Sequence, residues 1–230
     1  MPQPLAVYTD FDGTITLDDC NDALVARFLG PVRRVAYDRA FTEGQLVLWR
    51  LLDASLTACE VPLPEAIAYL HAHVRVDPAF VPFEAWCRAH GIPVEVVSAG
   101  TEEVVRSFLL REGLDLPVIA NHAAACAPGF GLRPRDAACP TGVDKAAVLL
   151  AARARGEYTV FIGDGFSDRL AVPHADLVYA KGGLAKWCAK QGLAHVAVAG
   201  FAEVQADLEA RLARVSTGGR LERSGTPDVP

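Results

Sequence analysis

Two pairs of acidic residues in this sequence have the type and spacing that suit a hard cation. Asp10 and Asp12, in the run DFDGT, are separated by one residue and directly follow the apolar run Leu5–Thr9. Asp164 and Asp168, in the run GDGFSD, follow a second apolar run. Carboxylates that face one crevice repel each other unless they share a cation or a proton. Because magnesium prefers hard oxygen ligands, these acids predict a Mg²⁺ site.

A hydroxyl group, backbone N–H groups and a lysine follow other apolar runs. Ser98 and Gly100 lie in VVSAGT between a predicted strand and a predicted helix, where backbone N–H groups bind anions. Lys145 opens a helix, and a cation there is unfavourable against the helix dipole unless it meets an anion. These residues together predict a phosphate-binding site. Taken singly, each motif can also be read as a polar turn, a helix cap or a solvated lysine.

The elements that position these residues are short apolar runs separated by helical patterns. The runs are nearly continuous in apolar character, which is typical of strands covered by helices on both faces. We therefore predict an α/β fold with a three-layer parallel sheet, whose carboxyl edge carries the site. The predicted strands are Leu5–Thr9, Ile92–Ser98, Leu116–Ala120, Tyr158–Ile162, Leu177–Ala180 and Val196–Val198.

A long insertion separates the first two predicted strands. It exceeds 80 residues, far more than a single crossover helix requires. From Asp18 to about Asp77 the pattern is helical, with Pro64 well placed at a helix start. We predict a helical cap over residues 17–77, an α/β core over residues 1–16 and 78–215, and a disordered tail over residues 216–230.

The composition favours a small-molecule partner. The chain has 230 residues, 51% of them hydrophobic, and a formal net charge of −6, which provides no basic field for nucleic acid. Apolar runs fall short of the roughly 20 residues that span a bilayer, and the first residues do not have a secretory signal pattern. We predict a cytoplasmic protein, monomer or homodimer, with no membrane partner. Six scattered cysteines without a C-x-x-C pair predict free thiols.

The order of these motifs resembles the haloacid dehalogenase superfamily of phosphatases. The resemblance rests on DFDGT, the serine of VVSAG, the lysine of TGVDKAAVLL and GDGFSD, and it covers nearly the whole chain. The insertion is similar to the helical cap of the phosphoserine-phosphatase-like branch. Within that branch, YTDFDGTITLDD, EGQ and IANHAAACAPG resemble the methionine-salvage phosphatase of 2-hydroxy-3-keto-5-methylthiopentenyl-1-phosphate. The fourth motif is nearer to phosphoserine phosphatase, so that substrate stays open.

The resemblance implies a Rossmann-like core, a Mg²⁺ cofactor and an aspartyl-phosphate intermediate. Asp10 is expected to be the nucleophile, and Asp12 the acid that protonates the leaving group and then activates water. The Asp10 carboxylate, the Asp12 carbonyl and Asp164 are expected to hold the metal. Asp168 is expected to orient metal-bound water or Lys145.

Further expectations concern the phosphate and the rest of the substrate. Ser98, Gly100 and Lys145 are expected to bind the transferring phosphate oxygens. A phosphotransferase or phosphomutase on the same scaffold, or a catalytically silent phosphate-binding protein, stays open as an alternative. The candidates for contacts with the organic part of the substrate are Asp19, Glu43, Asn121 and His122.

Overall fold

The computed structural model describes residues 3–30, 35, 39 and 42–216. The strands are β1 (Leu5–Thr9), β2 (Val94–Thr101), β3 (Val118–Cys126), β4 (Gly129–Arg133), β5 (Tyr158–Gly163), β6 (Leu177–Ala180) and β7 (Val196–Ala197). Within the described residues they form a seven-stranded, mostly parallel sheet in the order β4-β3-β2-β1-β5-β6-β7. The predicted α/β fold class is confirmed.

Among the described residues, four α-helices lie between β1 and β2, and one follows each of β2, β4, β6 and β7. A π-helical turn follows the first of them at Val25–Leu29. Pro64 lies in the first turn of the helix Leu63–His73, as predicted. A helix start tolerates proline because its N–H groups have no partner within the helix. The described helices include none that is long and apolar enough to cross a membrane. They are α1 (Cys20–Leu24), α2 (Leu48–Cys59), α3 (Leu63–His73), α4 (Phe80–Ala89), α5 (Glu102–Arg111), α6 (Lys145–Ala154), α7 (Gly182–Gln191) and α8 (Phe201–Ser216).

The strands β1 and β5 bring two of the acidic motifs to one edge of the sheet. Every residue of both strands is buried, as expected for strands covered on both faces. They pair in parallel, with Leu5 opposite Tyr158 and Thr9 opposite Ile162. The N–H of Asp10 donates to the carbonyl of Ile162 at 2.9 Å, which continues the pairing beyond β1. The parallel register therefore fixes where Asp10 leaves the sheet.

The strand β4 corrects the prediction of a wholly parallel sheet. It pairs antiparallel with β3, with His122 opposite Arg133 and Cys126 opposite Gly129. The sequence pattern missed this hairpin because its arms contain three alanines in His122–Cys126 and two glycines in β4, residues that have low strand propensity. At Gly129 a β-carbon would lie 2.8 Å from the backbone nitrogen of Val61, so close backbone packing explains the glycine there.

The chain divides into two compact units. The first comprises Met1–Asp10, Asp77–Glu95 and Lys145–Pro230, and the second Phe11–Val76 and Val96–Asp144. The division into core and cap predicted from the sequence stays a prediction. Of the predicted tail, Ser216 ends α8, and residues 217–230 lie outside the described residues.

Each unit has its own packed interior. In the first unit the ring of Phe201 at the start of α8 packs against Phe80 and Phe83 of α4, with centroids 4.9 and 5.2 Å away. In the second unit the Asp53 carboxylate on α2 accepts the N–H of Leu132 on β4 at 2.8 Å. This bond ties a helix of the insertion to the edge strand.

Candidate active site

Four of the predicted site residues meet in the first unit. Asp10 directly follows β1, Lys145 is the first residue of α6, and Asp164 and Asp168 follow β5. The Lys145 ammonium nitrogen lies 2.7 Å from Asp10 Oδ1 and 2.6 Å from Asp168 Oδ1. We call these four residues the acid–lysine cluster.

Asp168 holds both the lysine and the turn that carries Asp164. Its second oxygen accepts the backbone N–H groups of Asp164 and Gly165, each at 3.0 Å. The Asp168 side chain is fully buried. At Gly163 a β-carbon would lie 2.6 Å from the Asp168 carboxyl group, so the backbone path needs a glycine here. One carboxylate thus fixes two neighbouring parts of the cluster.

Burial and charge act in opposite directions on the cluster. Loss of solvent, followed by the negative charge of Asp168, raises the pKa of Asp10 well above its ordinary value, and Lys145 partly opposes this. Burial alone would lower the pKa of Lys145, but the charges of Asp10 and Asp168 outweigh it and raise that pKa. The lysine is therefore a cation, and it lies beside a carboxyl group whose ionised form is energetically unfavourable.

The donor set of the cluster fits a magnesium ion. Carboxylate oxygens of Asp10, Asp164 and Asp168 lie within 4.8 Å of one another. One lysine cation faces three acids, so a divalent cation would offset the remaining repulsion, and hard carboxylate oxygens are the ligands that Mg²⁺ prefers. Asp168 accepts hydrogen bonds from Lys145 and two backbone N–H groups, and the metal roles expected of the Asp10 and Asp164 carboxylates stay predictions. The metal role of the Asp12 carbonyl stays a prediction.

Three further predicted residues meet in the second unit. The N–H of Gly100 donates to Ser98 Oγ at 2.9 Å, and a β-carbon on Gly100 would lie 2.8 Å from Asp12 Oδ2. The other Asp12 oxygen accepts the N–H of Cys20 at 2.9 Å. We call Asp12, Ser98 and Gly100 the acid–hydroxyl group. Ser98 and Gly100 bond to each other here, in a strand that runs on to Thr101, past the predicted end at Ser98.

Asn121 holds the acid–hydroxyl group in place. It is fully buried, and its amide nitrogen donates to the carbonyls of Ala99 at 2.7 Å and Thr141 at 3.2 Å. Its amide oxygen accepts the N–H of Arg135 at 3.1 Å. These bonds give Asn121 a positioning role for the β2 residue next to Ser98, and its contact with the substrate stays a prediction.

The other three substrate candidates are engaged in surface interactions. Asp19 accepts the N–H of Asp22 at 2.8 Å and caps α1. Glu43 is exposed and pairs with Arg39 at 2.6 Å. His122 Nδ1 lies 3.5 Å from Glu102. Their roles toward substrate stay predictions.

The sequence reasoning missed the backbone of Cys20 as a partner of Asp12. The cysteine was assigned no function, and its side chain is a buried free thiol, like most of the six. The sequence does indicate a contact of this kind. Asp19 is a typical helix cap, and the N–H groups of the first helical turn that follows it are available to an acid before the helix. The start of α1 therefore orients the proposed acid.

Gly100→Ala tests how strictly Asp12 must be placed. The added methyl group would collide with Asp12 Oδ2 and lie 3.2 Å from Ser98 Oγ. We expect kcat to fall at least about tenfold, since positioned acid–base groups contribute about 10²–10⁴-fold. Steady-state phosphate release measures it, and a kcat within twofold of the parent would contradict it. Gly91→Ala is the control: its methyl meets open space at a φ of +67°, so about 1–2 kcal/mol of stability is lost and kcat is kept.

The family model described as haloacid dehalogenase-like hydrolase matches residues 7–172. The chain belongs to this family. The matched stretch of this haloacid dehalogenase-like hydrolase includes every motif from Asp10 to Asp168, and the family predicted from the sequence is confirmed.

Several proteins resemble this hydrolase over most of its length. It is 30% identical over 217 residues to the 2-hydroxy-3-keto-5-methylthiopentenyl-1-phosphate phosphatase of Geobacillus kaustophilus, which covers 89% of this chain and 95% of that protein. It is 28% identical over 233 residues to the polyol phosphate phosphatase of Saccharomyces cerevisiae, covering 94% and 97%. A substrate-bound phosphoserine phosphatase matches with a TM-score of 0.64 at 17% identity, covering 86% and 94%, and shows the fold alone. The predicted enzyme class, a phosphatase, is confirmed.

Proposed function

We propose that this hydrolase is a magnesium-dependent phosphatase of small phosphorylated metabolites that forms an aspartyl phosphate on Asp10. The observation that carries the proposal is the acid–lysine cluster, in which a buried cation contacts Asp10 at 2.7 Å. A lysine beside a nucleophilic carboxylate offsets its repulsion from a phosphate dianion. The bound metal would add further positive charge at the same carboxylates.

The proposed reaction has two steps, formation and hydrolysis of the aspartyl phosphate. In the first, a carboxylate oxygen of Asp10 attacks phosphorus, the ester P–O bond breaks, and the leaving alkoxide takes a proton from Asp12. In the second, Asp12 removes a proton from water, the water oxygen attacks the same phosphorus, and the bond to Asp10 breaks. Asp12 follows Asp10 by two residues in the chain, and the N–H of Cys20 fixes its carboxylate. Inorganic phosphate and the free alcohol are released.

The proposed substrate is 2-hydroxy-3-keto-5-methylthiopentenyl-1-phosphate. Support comes from the Geobacillus kaustophilus phosphatase, which is 30% identical over 89% of this chain, and from the motifs that resemble that enzyme. A polyol phosphate is the second candidate, because the Saccharomyces cerevisiae relative is 28% identical over 94% of the chain. The cytoplasmic location, the small-molecule partner and the oligomeric state stay predictions.

A phosphate-release assay with and without metal tests this function. The panel contains the methylthiopentenyl phosphate, glycerol 3-phosphate and phosphoserine, each with Mg²⁺ or with EDTA. We expect hydrolysis of at least one ester, a loss of at least about 100-fold in EDTA, and recovery on adding Mg²⁺, because a divalent ion supplies several kcal/mol of charge stabilisation. Undiminished release in EDTA would contradict the metal role. Transfer of phosphate to an added alcohol faster than to water would favour a phosphotransferase.

A further inference from the structure

An apolar cleft lies in the second unit beside the acid–hydroxyl group. It contains about 370 Å³ of space when the open solvent at its mouth is included, and Asp12 and Gly100 form part of its lining. Most of the other lining side chains are aliphatic or aromatic. They include Leu24 on α1, Leu52 and Leu56 on α2, Leu70 on α3, and Phe130 and Leu132 on β4.

The cleft is short of charged and polar partners. Among the described residues, Asp12 is the one carboxylate of the lining, and the lining contains no lysine, arginine or histidine. Cys20, whose thiol is free and buried, also lines the cleft. The Asn21 amide oxygen lies 3.3 Å from Ser55 Oγ, and Thr101 adds a hydroxyl. A ligand here finds one or two hydrogen-bonding partners and a largely apolar wall.

This lining discriminates among phosphate esters. An ammonium or carboxylate group that enters an apolar site loses hydration without finding a partner, and unpaired hydroxyl groups are penalised in the same way. Phosphoserine carries both charges, and a polyol phosphate carries several hydroxyl groups. An alkyl or thioether chain, in contrast, gains free energy from each methylene that leaves water.

The size of the cleft also limits the ligand. Only about 30 Å³ of it is open to the centre of a water-sized sphere, and about 10–15 Å³ of such space holds one water molecule. The occupant is therefore a short organic group rather than a lipid chain or a nucleotide.

We propose that this cleft binds the organic part of the substrate and selects phosphomonoesters of short, uncharged and predominantly apolar alcohols. The inference rests on the proposed function, because Asp12, which lines the cleft, is the residue assigned there to protonate the leaving alkoxide. The methylthio end of the proposed substrate belongs to this chemical class. Phosphoserine and glycerol 3-phosphate do not.

The test on the parent protein is a series of alkyl phosphates. We expect kcat/KM to rise about threefold or more for each methylene from methyl to pentyl phosphate. Propyl phosphate should exceed glycerol 3-phosphate, which has the same three carbons with two added hydroxyl groups, and it should exceed phosphoserine. A flat series, or equal or better turnover of either polar ester, would overturn the cleft assignment.

A matched pair of variants on α2 locates the effect. Leu52→Asn places an amide in the half-buried cleft wall, and Leu51→Asn makes the same change at a half-buried neighbour outside the lining. We expect Leu52→Asn to lower the pentyl-to-methyl ratio of kcat/KM at least threefold, and Leu51→Asn to leave it unchanged. Equal effects of the two variants would contradict the assignment.

The outcomes separate this inference from the proposed function. Magnesium-dependent hydrolysis of methyl phosphate with no gain along the series would keep the phosphatase and remove the apolar subsite. No hydrolysis of any ester would remove both. Because the alkyl series uses the parent protein, the result does not depend on whether a variant folds.

Discussion

Asp10→Asn is expected to lower phosphate release by about 10⁴-fold or more while the protein stays folded. The amide has nearly the shape of the carboxylate but cannot attack phosphorus, and loss of a nucleophile removes most of the catalytic effect of the groups that act with it. The acid–lysine cluster contains three acids and one lysine, and Lys145 keeps its 2.6 Å contact with Asp168 in the variant. The substitution removes one of the acids that repel each other. The free energy of unfolding of Asp10→Asn in EDTA should therefore be equal to or higher than that of the parent.

Asp207→Asn is the matched control for this prediction. Asp207 accepts the hydroxyl proton of Tyr179 at 2.7 Å and pairs with Arg211 at 2.5 Å. Its loss should lower the stability and leave kcat unchanged, the opposite signature to that of Asp10→Asn. Phosphate release and thermal unfolding measured on both variants separate the two roles. Release by Asp10→Asn within tenfold of the parent would exclude Asp10 as the nucleophile.

The first unit shows how much of such a site local sequence can predict. The runs Leu5–Thr9 and Leu177–Ala180 are strands at the predicted bounds, because β-branched and aromatic residues without polar interruption suit a buried parallel strand. Acids placed directly after such strands must leave the sheet at its carboxyl edge. The predicted neighbourhood of Asp10 and Asp164 follows from that rule and the register of two strands.

Other features depend on partners that sequence patterns do not reveal. The antiparallel β4 is specified by packing, as in the Asp53 bond to Leu132, rather than by strand propensity. The bond between Gly100 and Ser98 uses an N–H that was expected to be open to an anion. Asn121 was expected to follow the third strand, whereas it lies within β3, and three backbone groups distant in sequence bind its amide.

Lys145 lies beside anions, as its position at a helix start predicts, but these anions belong to the protein itself. A lysine at a helix start opposes the dipole, which predicts an anion nearby. The structure supplies two anions of the protein itself, and the side chain is almost completely buried between them. A group that the sequence presents as a phosphate ligand therefore also holds the fold together where Asp10 and Asp168 meet.

Lys145→Met is expected to cause the largest loss of stability among the substitutions considered. Methionine fills a similar volume, but the buried carboxylates of Asp10 and Asp168 lose the cation that both contact within 2.7 Å. Removal of one partner from a buried ion pair costs about 3–5 kcal/mol, because the remaining charge stays without compensation. Denaturant unfolding in EDTA measures this loss, and phosphate release should be lost as well. The exposed Lys190→Met should change stability by less than about 0.5 kcal/mol.

The double variant Lys145→Met with Asp10→Asn decides whether charge is the cause. If repulsion between Asp10 and Asp168 drives the loss, neutralising Asp10 removes it, and the double variant should be more stable than Lys145→Met alone. The two substitutions are then strongly non-additive, as expected for groups in direct contact. Additive losses would instead attribute the effect of Lys145→Met to altered packing of the methionine side chain. In that case Asp10 would not need the lysine for its place in the fold, and the charge balance proposed for the cluster would be wrong.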